Sequence, residues 1–302
     1  MIKKILIIGG NGFLGYNLAK FLTKSDFKIT LLCRRKNKNF KKLSKVNYIF
    51  CDITNLTKLK KKVKENYNFV INLSGNISHS NKKQTLKVHY EGLKNLLNVV
   101  SKKKIDLFIQ TGSSLEYGKS NNAQKEKNIC KPNSIYGKIK LKASRLLIKD
   151  RRFSKYIILR PYQIFGPYQK FDRLIPFVIK NSLKGKNFNC SAGIQIRDFL
   201  FVDDFTLLIK KILKCKNIKS GIYNVGSGKP IVVKTVIKII NKSIGKGIPI
   251  FGSASMRKDE SKYLFPDISK VKKTFKWSPR IDLLKGIKKT ILFYKSSMLL
   301  RH

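Results

Sequence analysis

The sequence predicts an α/β fold: a doubly wound parallel sheet with a smaller C-terminal α/β lobe. Two observations lead there. Short runs rich in Ile, Val, Leu and Phe alternate with helix-period segments through the first half of the chain. A glycine-rich turn, Gly9-Gly10-Asn11-Gly12-Phe13-Leu14-Gly15, separates the first such run from the first helical segment. Strand-helix alternation implies right-handed crossovers, and continuous apolar runs imply strands covered on both faces.

The expected strands are Ile5–Ile8, Lys28–Leu32, Asn47–Phe50, Phe69–Leu73, Leu107–Thr111 and Tyr156–Leu159. Helical periodicity covers 13–24, 55–66, 84–102 and 135–150. The opening run resembles a signal peptide, but Gly9-Gly10-Asn11-Gly12 cuts it too short, so a buried first strand is the better reading. After Arg160-Pro161 the pattern loosens. Gly166-Pro167, Pro176, Gly185, Gly193, Gly226, Gly228, Pro230 and Pro249 punctuate shorter elements. The division read here is 1–165 for the cofactor domain and 166–302 for a mainly substrate-binding lobe, partly threaded back into the first.

With 302 residues the chain can bury a sizeable core. No apolar run is long enough to span a membrane. Five widely spaced cysteines, with no CxxC pair, argue against a disulfide framework and a zinc site, and for a reducing cytoplasm. The charge is unusual: 66 Lys plus Arg against 16 Asp plus Glu, a formal +50. A basic chain suggests an anionic partner. Here lysines outnumber arginines about five to one and are dispersed along the chain, whereas phosphate-reading surfaces lean on Arg. Compositional drift explains this better than specific nucleic-acid recognition. Binding to RNA or DNA should therefore ignore sequence and collapse with modest salt in a filter-binding assay. A salt-resistant, sequence-selective complex would overturn that expectation.

The glycine turn carries a ligand signal. Placed between strand and helix, it lets backbone approach closely and aims the helix N-terminus at a pyrophosphate. Gly9, Gly12, Phe13, Leu14 and Gly15 are the candidate contacts. The next strand ends Cys33-Arg34-Arg35-Lys36, without the acid that would accept hydrogen bonds from a ribose 2′-hydroxyl. Arg34 could meet a 2′-phosphate instead, which favours NADP(H) over NAD(H).

A second signal is Tyr136 with Lys140, one helical turn apart. Tyr16 and Tyr90 also have Lys four residues on. Only Tyr136 follows a strand end rich in serine, Thr111-Gly112-Ser113-Ser114-Leu115-Glu116-Tyr117-Gly118, where a parallel sheet forms its ligand crevice.

The segments GGNGFLG, CDIT, INLSG, TGSSLEYG, SIYGKIK, LRPYQIFGP, IRDFLFVDD, YNVGSGKP and RKDESKYLFPDISKVKKTFKWSP follow one another along nearly the whole chain. Together they resemble the extended short-chain dehydrogenase/reductases, in particular the NAD-dependent epimerase/dehydratase family. The resemblance implies a Rossmann-type domain, a homodimer and a nucleotide-diphosphate sugar as substrate. It implies Ser113, Tyr136 and Lys140 as the catalytic set. Tyr136 would exchange a proton at the sugar oxygen. Lys140 and a cationic nicotinamide would lower its pKa from about 10. Asp52 and Ile53 would lie against the adenine, with Leu73, Ser74, Gly75 and Lys140 along the cofactor. Arg197, Arg257 and Glu260 would bind the substrate's diphosphate and ribose. Asp203 and Asp204 fit helix capping better than chemistry.

Two departures matter. His89 stands where the family often has Asn, and a structural role suits a lone His there. Dehydratases of the family carry acids directly after the catalytic Ser or Thr, where this chain has Ser114 and Leu115. The GSSLEYG segment is closest in motif to nucleotide-diphospho-4-keto-6-deoxyhexose reductases. Reduction of a 4-keto-6-deoxy sugar nucleotide is the implied reaction, with 4-epimerisation as the alternative. Outside enzymes, a dinucleotide-sensing or RNA-binding protein is the rival, and the intact Ser113, Tyr136 and Lys140 count against it.

Overall fold

The computed structural model describes residues 2–37, 40–75, 81–256 and 260–299. In the first half, β1 (Lys3–Ile8), α1 (Phe13–Leu22), β2 (Phe27–Cys33), β3 (Val46–Phe50), α2 (Leu56–Lys62) and β4 (Phe69–Asn72) come first. They are followed by α3 (Lys82–Leu86), α4 (Gly92–Val100), β5 (Leu107–Thr111), α5 (Ile135–Lys149) and β6 (Tyr156–Pro161). The rest comprises β7 (Gln163–Phe165), α6 (Leu174–Leu183), β8 (Phe188–Cys190), β9 (Ile196–Phe201), α7 (Val202–Lys214) and β10 (Gly221–Val225). Last are β11 (Pro230–Val232), α8 (Val233–Ile244), β12 (Pro249–Phe251), β13 (Tyr263–Leu264), α9 (Ser269–Phe275) and α10 (Leu283–Leu299).

Seven strands form one parallel sheet in the order β10-β6-β5-β4-β1-β2-β3. The order reverses at β1, so a crevice opens between β1 and β4 at the carboxyl edge. Alternate residues of β1 explain why the sheet is covered twice. Ile5 and Ile7 join one core with Leu18 and Leu22 of α1 and Phe205 and Leu208 of α7. Leu6 and Ile8 join another with Leu59 of α2, Leu96 of α4 and Leu147 of α5. Both faces bury apolar side chains, as a parallel strand requires. Beyond β6, β10 returns to pair with β6 in the large sheet, while β7, β9, β11 and β13 build a smaller one.

One expected helix is interrupted. The segment 84–102 is not continuous, because Lys87–Glu91 forms a π-helical turn between α3 and α4. Such a turn inserts one residue and re-aims side chains, often beside a functional site. Here it buries His89, with its ring edge-on to Tyr136 at 5.3 Å.

The expected capping by Asp203 and Asp204 is also corrected. Phe201 is the N-cap of α7 and the two acids lie inside its first turn. Asp204 instead accepts from the backbone N–H groups of Arg280 and Ile281, both at 3.0 Å, anchoring the segment before α10.

Candidate active site

Because the strands are parallel, the loops after β1, β2, β3, β4 and β5 share one edge. Gly9 leaves β1 with φ +80°, and a Cβ there would lie 2.8 Å from the Leu73 carbonyl oxygen. A Cβ on Gly15 would lie 2.3 Å from the Gly9 oxygen. Only glycine lets the turn and helix close this tightly. Gly12 is the N-cap of α1 and supplies no side-chain cap. The first N–H groups of that helix, from Phe13 and Leu14 onward, therefore suit an anion such as a dinucleotide pyrophosphate.

Around this cradle the predicted cofactor residues fall into place unevenly. Arg34 is exposed just past β2. Asp52 is half-buried after β3 and accepts from the Thr54 N–H at 2.9 Å. Ile53 turns inward, into space that a Cβ on Gly92 would need. Leu73 continues the β1 ladder through its N–H to the Ile8 oxygen. The Ser74 hydroxyl donates to Asn72 Oδ1 at 2.6 Å, and Gly75 lies against the His89 ring.

The residues predicted to do chemistry come together. Ser113 begins a short 3₁₀ turn, Ser114–Glu116, directly after β5. Ser134 caps α5 by accepting from the Gly137 N–H, and this helix presents Tyr136 in its first turn and Lys140 one turn later. The Tyr136 phenol and the Ser113 hydroxyl are hydrogen-bonded to one another. Lys140 is buried, and its ammonium donates to the Thr111 carbonyl at the end of β5.

Electrostatics depart from expectation. Burial, and then the negative charge of Glu116, raise the Tyr136 pKa above its ordinary value. The Arg173 guanidinium and the bond with Ser113 offset this only in part. The phenol is thus a protonated acid within the bare chain, and any lowering must come from a bound cofactor. Burial pulls the Lys140 ammonium from 10.5 down to about 8, against the opposing pull of Glu116.

In the second lobe, Arg197 and Glu260 meet each other. Arg197 Nη2 lies 2.8 Å from Glu260 Oε1 and also donates to the Ser261 oxygen at 2.7 Å. Arg257 lies outside the described residues. Sequence reasoning missed Arg173, the N-cap of α6, whose charge reaches Tyr136 from the second lobe. One more cation in so basic a chain gave no signal.

The model of the NAD dependent epimerase/dehydratase family matches residues 5–226. A CDP-abequose synthase of Salmonella muenchen is 31% identical over 151 residues, 49% of this chain and 51% of that protein. A UDP-glucuronate 4-epimerase of Thermodesulfobacterium geofontis is 27% identical, covering 97% of this chain and 96% of the other. Among solved structures, a tyrosine-to-phenylalanine variant of the Bacillus cereus UDP-glucuronic acid 4-epimerase superposes with a TM-score of 0.87. It holds NAD and a UDP-4-deoxy-4-fluoro-glucuronic acid, is 25% identical, and covers 97% of this chain and 99% of its own. The glycine cradle, the crevice at β1 and the Ser113, Tyr136, Lys140 cluster fit a nicotinamide dinucleotide, and the chain belongs to the NAD-dependent epimerase/dehydratase family of extended short-chain dehydrogenase/reductases.

Proposed function

We infer that this enzyme reduces a 4-keto-6-deoxy sugar nucleotide with NADPH. The turn after β5 carries the reading. Elimination of water from a hexose needs an acid and a base beside the reacting carbons. Ser114 and Leu115 supply neither, and the Glu116 carboxylate is buried behind the turn, engaged by Ser113, Ser144 and Arg160. What the cluster can support is proton exchange at one oxygen, coupled to hydride transfer.

The bound nicotinamide would supply the hydride. The Tyr136 phenol, kept protonated by burial and Glu116, donates to the carbonyl oxygen as negative charge develops there. Ser113, already bonded to that phenol, aligns the same oxygen. Lys140 holds a positive charge behind them while its ammonium persists. Its proton is retained below about 8 and lost above. Reduction should therefore hold a plateau at lower pH and fall as pH rises through that value. A flat rate profile from pH 7 to about 10 would show that the Lys140 charge is not needed.

The cofactor preference rests on Arg34 and Arg35, both exposed past β2 with no acid at that strand end. The Asn11 side chain donates to the Arg35 oxygen at 2.7 Å, fixing this segment beside the glycine turn. NADPH should bind more tightly than NADH, and Arg34→Asp should flatten or reverse the difference. Equal dissociation constants in the unaltered protein would sink this.

Arg197 is the proposed diphosphate clamp, with Glu260 as the partner it surrenders when substrate arrives. Arg197→Ala should weaken nucleotide-sugar binding in calorimetry and leave cofactor affinity unchanged.

A second reading, 4-epimerisation, is favoured by relatives that cover nearly the whole chain, among them a UDP-glucuronate 4-epimerase at 97% of it. One experiment separates the two. CDP-, dTDP- and GDP-4-keto-6-deoxy sugars are offered with NADPH, and loss of the reduced-nicotinamide absorbance is followed. UDP-glucose and UDP-glucuronate are supplied separately without cofactor, and the products are analysed for 4-epimers. Epimers without net consumption of NADPH on any keto sugar would make the second reading correct.

A further inference from the structure

Glu116 does no chemistry in this scheme, yet it is fully buried directly behind the Ser113 turn. Its two oxygens reach three parts of the fold. Oε1 accepts from the Ser113 N–H at 2.8 Å and from the Ser144 hydroxyl at 3.1 Å. Oε2 accepts from Arg160 Nε and Nη2 at 3.0 and 2.8 Å. Ser144 lies on α5, one turn beyond Lys140, and Arg160 lies on β6. A single carboxylate thus joins the turn bearing Ser113 to the helix bearing Tyr136 and Lys140.

The backbone is shaped to admit it. A Cβ on Gly112 would come within 2.7 Å of Glu116 Oε1. A Cβ on Gly137 would come within 2.3 Å of the Leu115 oxygen, so the turn and α5 meet backbone to backbone. Arg160 is itself braced, with its guanidinium 4.4 Å from the centre of the Tyr117 ring.

We propose that Glu116 is the positioning residue of this site: it locks the Ser113 turn to helix α5 and strand β6, and so fixes the Ser113 hydroxyl against Tyr136 and Lys140. The proposal rests on the reading of those three as the catalytic set. Stability alone gives little reason for the arrangement, since a buried ion pair can often be replaced by apolar groups of similar volume without loss. The position of the charge gives a better one. From behind the turn the Glu116 charge reaches the reacting groups, opposing ionisation of Tyr136 and holding the proton on Lys140.

Two variants test it. Ser144→Ala cuts the tie to α5 and leaves the ion pair intact. Glu116→Gln keeps the shape and removes the charge. Turnover is measured with NADPH and dTDP-4-keto-6-deoxyglucose, alongside cofactor affinity. The Tyr136 phenol is titrated by NMR of ¹³C-labelled tyrosine, its signal assigned by its absence in Tyr136→Phe. Ser144→Ala should lower kcat about tenfold while KM and cofactor affinity stay within about twofold. Glu116→Gln should move the Tyr136 titration to lower pH, because the opposing anion is gone. Unchanged kcat in Ser144→Ala, or an unmoved phenol in Glu116→Gln, overturns the proposal. Ser144→Ala keeps the test decisive if Glu116→Gln does not fold. The titration needs no substrate, so it decides even if that sugar is not turned over. If Tyr136→Phe stays active, the catalytic assignment fails, and the titration still judges Glu116 separately.

Discussion

Tyr136→Phe should lower turnover by about 10²–10⁴-fold, the range that general acid–base catalysis contributes, and leave cofactor binding within about twofold. The substitution removes one oxygen. The ring remains, with its edge-on contact to His89 at 5.3 Å, and so does the Ser134 cap that starts α5. The bond to Ser113 is lost, but Ser113 keeps its second partner, accepting from the Leu115 N–H at 3.2 Å. The fold has no reason to change, so a loss of rate reports the missing proton. Steady-state kinetics together with cofactor titration separate the two effects. A variant retaining more than about a tenth of the wild-type rate would show that another group moves the proton.

Much of this arrangement can be read from the residues, and the exceptions share a cause. The strands are legible because a parallel strand buried on both faces needs an unbroken apolar run, and Ile5–Ile8 or Leu107–Thr111 can be little else. The glycine turn is legible because its demands are steric and local. Tyr136 and Lys140 stand out by their spacing after a serine-rich strand end, and the family resemblance is what groups them with Ser113 as the expected catalytic set. The π-helical turn at Lys87–Glu91 is not, because periodicity cannot show one inserted residue that packing tolerates. The direction of the Tyr136 shift is not legible either. The expectation is a phenol lowered by Lys140 and a cationic nicotinamide, whereas in the bare chain burial and Glu116 prevail. The pairing of Arg197 with Glu260 and the reach of Arg173 are long-range facts of the second lobe. Glu116 and Arg160 belong to the same class: 44 residues apart in sequence, they meet beneath the catalytic turn.

That buried pair carries the largest expected effect on stability. Arg160→Met should cost about 3–5 kcal/mol, because it leaves the Glu116 charge buried without its partner. Methionine approximates the volume of the arginine stem, so little of the loss would come from a cavity. Glu116 keeps the Ser113 N–H and the Ser144 hydroxyl as donors, but neither carries charge. The Tyr117 ring also loses the guanidinium stacked 4.4 Å from its centre. A chain of this size should show the change as a fall in thermal midpoint of roughly 5–8 °C. Removing both charges is a different perturbation. Glu116→Gln with Arg160→Met leaves no unpaired ion and preserves an amide to face Ser113 and Ser144. The double variant should therefore recover more than half of the lost stability while remaining slow in turnover, because the Ser113 turn is no longer held by a charged acceptor. Calorimetry on the two singles and the double closes the cycle. Additive costs would mean that the two charges do not depend on each other. A double variant with both wild-type stability and wild-type rate would reduce the pair to a replaceable structural contact.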